Sequence, residues 1–273
     1  MNLAYPFLTE ETKKPLLGYK GNTKEVFSLL KRIGYTGIEL LIRDPKEVDI
    51  SLLYTLTQQL DLQIVAVGTG PVVSDDRLTF MSDDDDTRIK AIKRAKDIIE
   101  FASQFNCPVS IGKLRGELDK ENPKQSWEWL DDALKQVTEH AERYKIDIML
   151  EPQSKSAMNN LNTTLDALFY IHLIDIPNLK LMLDVYHMNA EHEPIKQRFR
   201  EVKDYLIYLH VADSNRQSPG KGTFDYKEVI NTLHSLDYNG FITPEISQGL
   251  DSYTEAKAAF DYLNQIIKEK NIV

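Results

Sequence analysis

The sequence predicts an α/β fold, a (β/α)8 TIM barrel built as a single domain over residues 1–273. Short apolar runs alternate with longer amphipathic ones from end to end, and eight such pairs can be read in order. The chain length of 273 residues fits the roughly 250 residues that a barrel of this kind takes. A doubly wound open sheet is the rival arrangement, but it normally carries a Gly-rich turn after its first strand, and AYPFLTEET has none. No linker rich in Gly, Pro or Ser and no shift in composition divides the chain, which favours one domain over two.

The strand-like runs are NLAYP, TGIELL, LQIVAVG, PVSIG, IDIMLE, LKLMLD, LIYLHVA and GFITPEI. Each is short, rich in apolar residues and flanked by turn formers, as strands buried on both faces should be. Helices fill the gaps. Asn22 and Glu25 stand three apart ahead of VFSLLKRIG, a capping box closed by Gly34. In DTRIKAIKRAKDIIEFASQF, Ile89, Ile92, Ile99 and Ala102 recur at helical spacing and predict one apolar face. Similar patterns cover residues 126–144, 163–173, 225–236 and 253–267, whereas residues 46–60 and 193–205 are less regular. The acidic run Asp83 to Asp86 precedes a helix, where negative charge complements the helix dipole.

Composition narrows the function classes. Hydrophobic residues make up 42% and charged residues 27%, which suits a globular chain with a large core. The formal charge of -9 and pI near 5.3 give no electrostatic footprint for nucleic acid or an anionic membrane. No apolar run approaches the length of a membrane span, and MNLAYPFLTEETKK lacks the basic and apolar regions of a secretory leader. The single Cys107 rules out an intrachain disulfide and reads as a buried thiol in a reducing compartment. A cytoplasmic protein is therefore expected.

In a barrel of this type the active site lies at the C-terminal ends of the strands. The fifth run ends in Glu151, the sixth in Asp184, the seventh carries His210 and the eighth leads to Glu245. Each breaks an apolar run with a polar residue. Separately, each reads as a strand cap or a buried hydrogen bond. Together they would aim one imidazole and three carboxylates at a common centre, a donor set for one divalent metal ion per chain. Mn²⁺ comes first, with Co²⁺, Mg²⁺, Fe²⁺ or Zn²⁺ as alternatives. His187, three residues past Asp184, and Arg216, in the long polar loop ADSNRQSPGKGTFDY, fall near that centre. His192, between Glu191 and Glu193, reads as solvated; His140, His172 and His234 fall within helices. Lys113 and Arg115 in IGKLRG and Lys155 in EPQSKSAM would bring positive charge to the mouth, either to hold a phosphate or carboxylate or simply as solvated loop cations.

The series IMLEP, LMLDVYH, LHVADSNR with GKGTFDY, and TPEIS resembles the xylose isomerase-like barrel superfamily, chiefly its sugar and sugar-phosphate isomerases and epimerases. Ketose 3-epimerases and hydroxypyruvate isomerase are the nearest by pattern. The resemblance implies that Glu151, Asp184, His210 and Glu245 are metal ligands, that Glu151 and Glu245 form the acid/base pair, and that His187 and Arg216 hold substrate oxygens. It implies proton transfer next to a ketose carbonyl through a metal-stabilised enediolate. One glutamate takes the proton and the other returns it, while Arg216 adds charge stabilisation. Return of the proton to the adjacent carbon instead would make the enzyme an aldose–ketose isomerase. The expected partner is a small-molecule sugar or sugar phosphate, with no nucleic acid and no membrane; relatives often assemble, so a homo-oligomer is anticipated.

The chain departs from the epimerase pattern after its fifth strand, where Ser154 and Ala157 stand in place of an asparagine-containing stretch and a further acidic residue. A dehydratase of a cyclic polyol ketone would use the same metal and enolate. A sugar-binding barrel without activity would not need both glutamates. An abasic-site endonuclease of the same superfamily would need histidines after strands three and four and an Asp-x-His in the strand-seven loop. VGTGP, SIGKL and DSNRQSPGKG contain none.

Overall fold

The computed structural model describes residues 1–270. Eight parallel strands close into a barrel: β1 (Asn2–Leu8), β3 (Gly37–Leu41), β4 (Gln63–Gly68), β5 (Val109–Ile111), β6 (Ile148–Leu150), β7 (Leu179–Asp184), β8 (Leu206–Val211) and β9 (Phe241–Pro244). Pairing of Asn2 and Leu3 with Phe241 and Ile242 joins the first strand to the last. A two-residue strand, β2 (Tyr19–Lys20), adds to the open side of β1 at its C-terminal end, an element that the sequence pattern did not predict.

The helices pack outside this ring: α1 (Thr23–Ile33), α2 (Ile50–Leu60), α3 (Gly70–Asp76), α4 (Asp85–Ser103), α5 (Pro123–Arg143), α6 (Thr164–Ile174), α7 (Val185–Ala190), α8 (Ile195–Glu201), α9 (Tyr226–Ser235) and α10 (Ser252–Lys270). The irregular stretches resolve into α2, capped by Asp49, and the short α8. TGPVVSDDR, which follows β4, forms α3 with Pro71 in its first turn, where proline's missing N–H costs nothing.

Two helix details differ from expectation. Asn22 accepts a bond from the Glu25 amide, but the return arm is absent: Glu10 takes the amide and hydroxyl of Thr23 instead. A complete capping box occurs at Thr163 and Asp166 of α6. On α4, Ile99 and Ala102 are buried, yet Ile89 is 65% exposed; the buried face runs through Ala91, Ala95 and Ile98. The small alanines let α4 approach the neighbouring elements, and Ile89 falls outside that stripe. Asp84 caps α4 through the Thr87 amide and hydroxyl, the role expected of the acidic run.

Successive strand residues point to opposite faces. Outward residues such as Leu181, Leu183, Leu209 and Ile242 join the large core shared with the helices. Inward residues Ala4, Ala66, Met149, Met182 and Tyr208 form a smaller plug inside the barrel, joined by Val65 where the β3–β4 register shifts by one residue. That plug sets the site. Two residues beyond Met149 lies Glu151, two beyond Met182 lies Asp184, and two beyond Tyr208 lies His210. The same inward rail, one step further along, carries polar atoms above an apolar floor.

Candidate active site

Glu151 immediately follows β6, and its amide continues the parallel ladder to the Ile111 carbonyl at 3.1 Å. Its carboxylate lies over Gly112. A Cβ there would sit 2.5 Å from Glu151 Oε2, so any larger residue would displace the carboxylate from this position. Gln153 Nε2 donates to the same oxygen at 2.6 Å, fixing the carboxylate from the other side. Gly112 and Gln153 both escaped the sequence reading; EPQ carried a signal, because an amide two residues past a strand-end carboxylate is placed to bond it.

Asp184 ends β7 and starts α7. One carboxylate oxygen accepts from the Tyr186 amide at 2.9 Å, the cap of that short helix. The other faces the site, 3.9 Å from His187 Nε2 and hydrogen-bonded to Arg216. A capping role and a site role thus coexist, one per oxygen. His187 Nδ1 shares a hydrogen bond with Ser154 Oγ at 3.1 Å, so the departure after strand five places a hydroxyl beneath the imidazole.

Arg216 reaches the site because its loop folds upon Asp213. That carboxylate accepts from the amides of Ser214, Gly220 and Phe224, while the Arg216 amide donates to the Asp213 carbonyl. The guanidinium bridges Asp184 and Glu245 and lies 4.6 Å over the Tyr186 ring.

His210, in β8, is buried, and its Nε2 lies 2.7 Å from Glu39 Oε2. Glu39, in the middle of β3, is completely buried and also receives the Tyr208 hydroxyl at 3.3 Å. The sequence reading passed over it inside TGIELL, although a lone charge in an apolar strand signals a buried partner. The other ring nitrogen, Nδ1, is buried without a hydrogen-bond partner and lies 3.7 Å from Glu245 Oε2.

The four expected ligands do not gather in one cluster; together with His187 they fall into two overlapping groups. Ligand atoms of Glu151, Asp184 and His187 lie within 4.8 Å of one another, as do those of Asp184, His210 and Glu245, with Asp184 common to both. The unpartnered His210 Nδ1 and the surplus of carboxylate oxygens form a donor set that fits a divalent cation with mixed oxygen and nitrogen ligands.

The electrostatics follow from crowding in a dry site. Burial, reinforced by Glu245, raises the Glu151 pKa, and burial likewise raises that of Glu245. Burial also works against an Asp184 anion, but Arg216 and His187 outweigh it and hold the group below the usual carboxylate range. Burial disfavours the His210 cation, yet Glu39 and Glu245 together push it up to about 10. His187 goes the other way: desolvation brings it down to about 4.

Of the cations expected at the mouth, Arg115 is a correction. Its guanidinium is completely buried and donates to the Gly112 and Glu151 carbonyls and to the side chain and carbonyl of Asn160. It therefore braces the β5 and β6 ends from beneath and does not face the opening. Lys155 is exposed and paired with Glu191 at 3.4 Å. Lys113 is exposed and lines a cavity of about 450 Å³ with Met81, Gly116 and Met158. His192 is exposed; His140 and His172 bond Glu100 and Tyr205 on the outer helices. Cys107 is buried, with its thiol pushed up to about 12 by desolvation. Among the described residues, no helix is long and apolar enough to cross a membrane.

A parallel barrel with titratable side chains converging at its C-terminal mouth belongs to the (β/α)8 class, in which that face carries the chemistry. The family model described as xylose isomerase-like TIM barrel matches residues 27–266, and the chain belongs to that family. An L-ribulose 3-epimerase from Methylomonas sp. (strain DH-1) is 28% identical over 225 residues, covering 78% of this chain and 74% of the relative. A 3-dehydro-D-guloside 4-epimerase from Escherichia coli (strain K12) is 25% identical, covering 82% of this chain and 87% of its own. The crystal structure of D-psicose 3-epimerase with D-tagatose from Clostridium cellulolyticum H10 superposes with a TM-score of 0.81 at 22% identity, over 98% of this chain and 99% of that one. A family 2 AP endonuclease from Brucella melitensis reaches a TM-score of 0.77 at 16% identity, over 93% of this chain and 96% of that one; at such identity the likeness is one of fold.

Proposed function

We propose that this protein is a divalent-metal-dependent epimerase of an unphosphorylated ketose, working by proton transfer at the carbon beside the carbonyl. The observation that carries the reading is the pair Glu151 and Glu245. They are carboxylates just past the ends of β6 and β9, Glu151 buried and Glu245 half-buried, and burial raises both above the usual carboxylate range, which suits groups that pass a proton to and fro. The relatives that align over most of the chain include an L-ribulose 3-epimerase and a probable ketose 3-epimerase from Synechocystis.

Glu151, Asp184, His210 and Glu245 would hold the cation, Mn²⁺ first among the candidates for such a donor set. Bound there, it would supply charge stabilisation to adjacent substrate oxygens. One glutamate removes the proton from the substrate carbon and the other returns it on the opposite face. Gln153 and Gly112 hold the Glu151 carboxylate in place, so the proton moves at a fixed oxygen. His187 and Arg216 contact the substrate oxygens, and the buried floor beneath excludes water.

Support for a substrate without phosphate comes from the cations. Arg115 is consumed internally and Lys155 is paired with Glu191, leaving Lys113. A phosphate ordinarily needs several donors converging on it. The test is a Mn²⁺-supplemented screen of ketoses and ketose phosphates in deuterated water. Deuterium should enter the free ketose at the epimerised carbon, and Glu151→Gln and Glu245→Gln should each lower kcat by about 10²–10⁴-fold. Retention of the original hydrogen, or activity confined to phosphates, would overturn the reading.

A further inference from the structure

We propose that Glu39 is the positioning residue for His210, holding the imidazole with Nε2 protonated so that Nδ1 presents its lone pair to the cation; this rests on His210 being a ligand. Glu39 is the lone charged residue of β3 and is completely buried, a placement that costs several kcal/mol unless the charge is compensated. Its compensation comes from across the barrel: β3 and β8 are not neighbours, yet Glu39 Oε2 lies 2.7 Å from His210 Nε2. A carboxylate can only accept, so Nε2 must donate, and in the neutral ring, the form that can bind a cation, the lone pair falls on Nδ1.

The rest of the setting is built around that contact. Tyr208, two residues before His210 on the same rail, bonds Glu39 at 3.3 Å and Thr243 at 2.6 Å, tying the carboxylate to β8 and β9. On the neighbouring strand, a Cβ at Gly68 would lie 3.1 Å from Glu39 Oε1 and would crowd it. The Nδ1 thus freed is the ring atom buried without a partner and facing Glu245. Ligating histidines commonly donate their other N–H to such a carboxylate, and loss of that partner typically costs about 10–100-fold in metal affinity or activity.

The test combines two readouts that do not depend on turnover. In wild-type protein labelled with ¹⁵N-histidine, the His210 Nε2 should carry a strongly hydrogen-bonded proton, seen far downfield. A proton on Nδ1 with none on Nε2 would overturn the proposal. In Mn²⁺ titrations followed by electron paramagnetic resonance, Glu39→Gln, whose amide can both donate and accept, should bind about 10–100-fold more weakly than wild type. Tyr208→Phe, which leaves the Glu39–His210 contact in place, should bind within about threefold of wild type, well inside that loss. A folded Glu39→Gln protein with wild-type affinity, or an equal loss in Tyr208→Phe, would also overturn the proposal. Should wild-type protein take up no Mn²⁺, the proposed function fails, and the Nε2 proton alone decides whether Glu39 orients His210. If Glu39→Gln does not fold, the wild-type spectrum decides in the same way.

Discussion

His210 and His187 share Asp184 as a neighbour but are held by opposite kinds of partner. His210 leans on Glu39, a buried acceptor that permits one tautomer; His187 leans on Ser154, whose hydroxyl can donate or accept. The first ring is locked with a net attraction for positive charge. The second is desolvated, lies close to the Arg216 charge, and can change which nitrogen carries its proton. The difference suits a fixed ligand on one side of the site and an adaptable substrate contact on the other. It also predicts that equivalent substitutions at the two histidines will have unequal costs.

The largest effect is expected from His210→Ala. It leaves Glu39 with only the neutral Tyr208 hydroxyl, and a buried charge that loses its ionic partner typically costs about 3–5 kcal/mol. His187→Ala strands only a hydroxyl that still has Ser156 within 3.0 Å, so its stability loss should stay below about 1.5 kcal/mol. Denaturant unfolding of both proteins measures the gap; equal losses would break the comparison.

The next test uses pH on chelator-treated protein. His187, brought down to about 4, takes up its proton in the unfolded chain before the folded one as pH falls below 6.5. Stability should therefore drop from pH 6.5 toward 4. His210, pushed up to about 10, binds a proton in the folded chain that the unfolded one has lost above 6.5. Its contribution is full below pH 6.5 and disappears toward 10. The acid limb is worth about 3 kcal/mol and the alkaline limb about 5 kcal/mol. His187→Gln should flatten the acid limb and His210→Gln the alkaline one, as read by melting temperature against pH.

Smaller effects sharpen the picture around each ring. Gly112→Ala should push Glu151 off its Gln153 contact and lower kcat by about 10–100-fold, with KM little changed, since positional errors near 1 Å can cost about 10²-fold. Ser154→Ala should cost about 0.5–1.5 kcal/mol in the contact of His187 with substrate, seen as a rise in KM of a few fold. A Ser154→Ala protein as impaired as His210→Ala would show that the two supports are equivalent after all.

Much of the site was legible because a buried parallel strand is apolar throughout, so any polar residue near its end stands out. Glu151, Asp184, His210 and Glu245 each became a candidate in that way, and they lie in or just past the ends of successive strands β6 to β9. Arg115 illustrates the opposite case. A loop arginine beside a strand end is equally consistent with binding a ligand or satisfying backbone carbonyls, and only the path of IGKLRG beneath the Glu151 carbonyl decided for the second. Likewise Lys155 turned to Glu191, a residue distant in sequence.

The sequence by itself determined the barrel, its strand order and the rail of polar residues above an apolar floor, because those depend on local periodicity. Tertiary structure alone decided what each of those residues touches. Barrel closure brings Glu39 of β3 across to His210 of β8, 171 residues away, and seats Glu151 over Gly112. Hydrogen-bond partners are chosen by distances of a few ångströms between strands, and no pattern along a single strand encodes them.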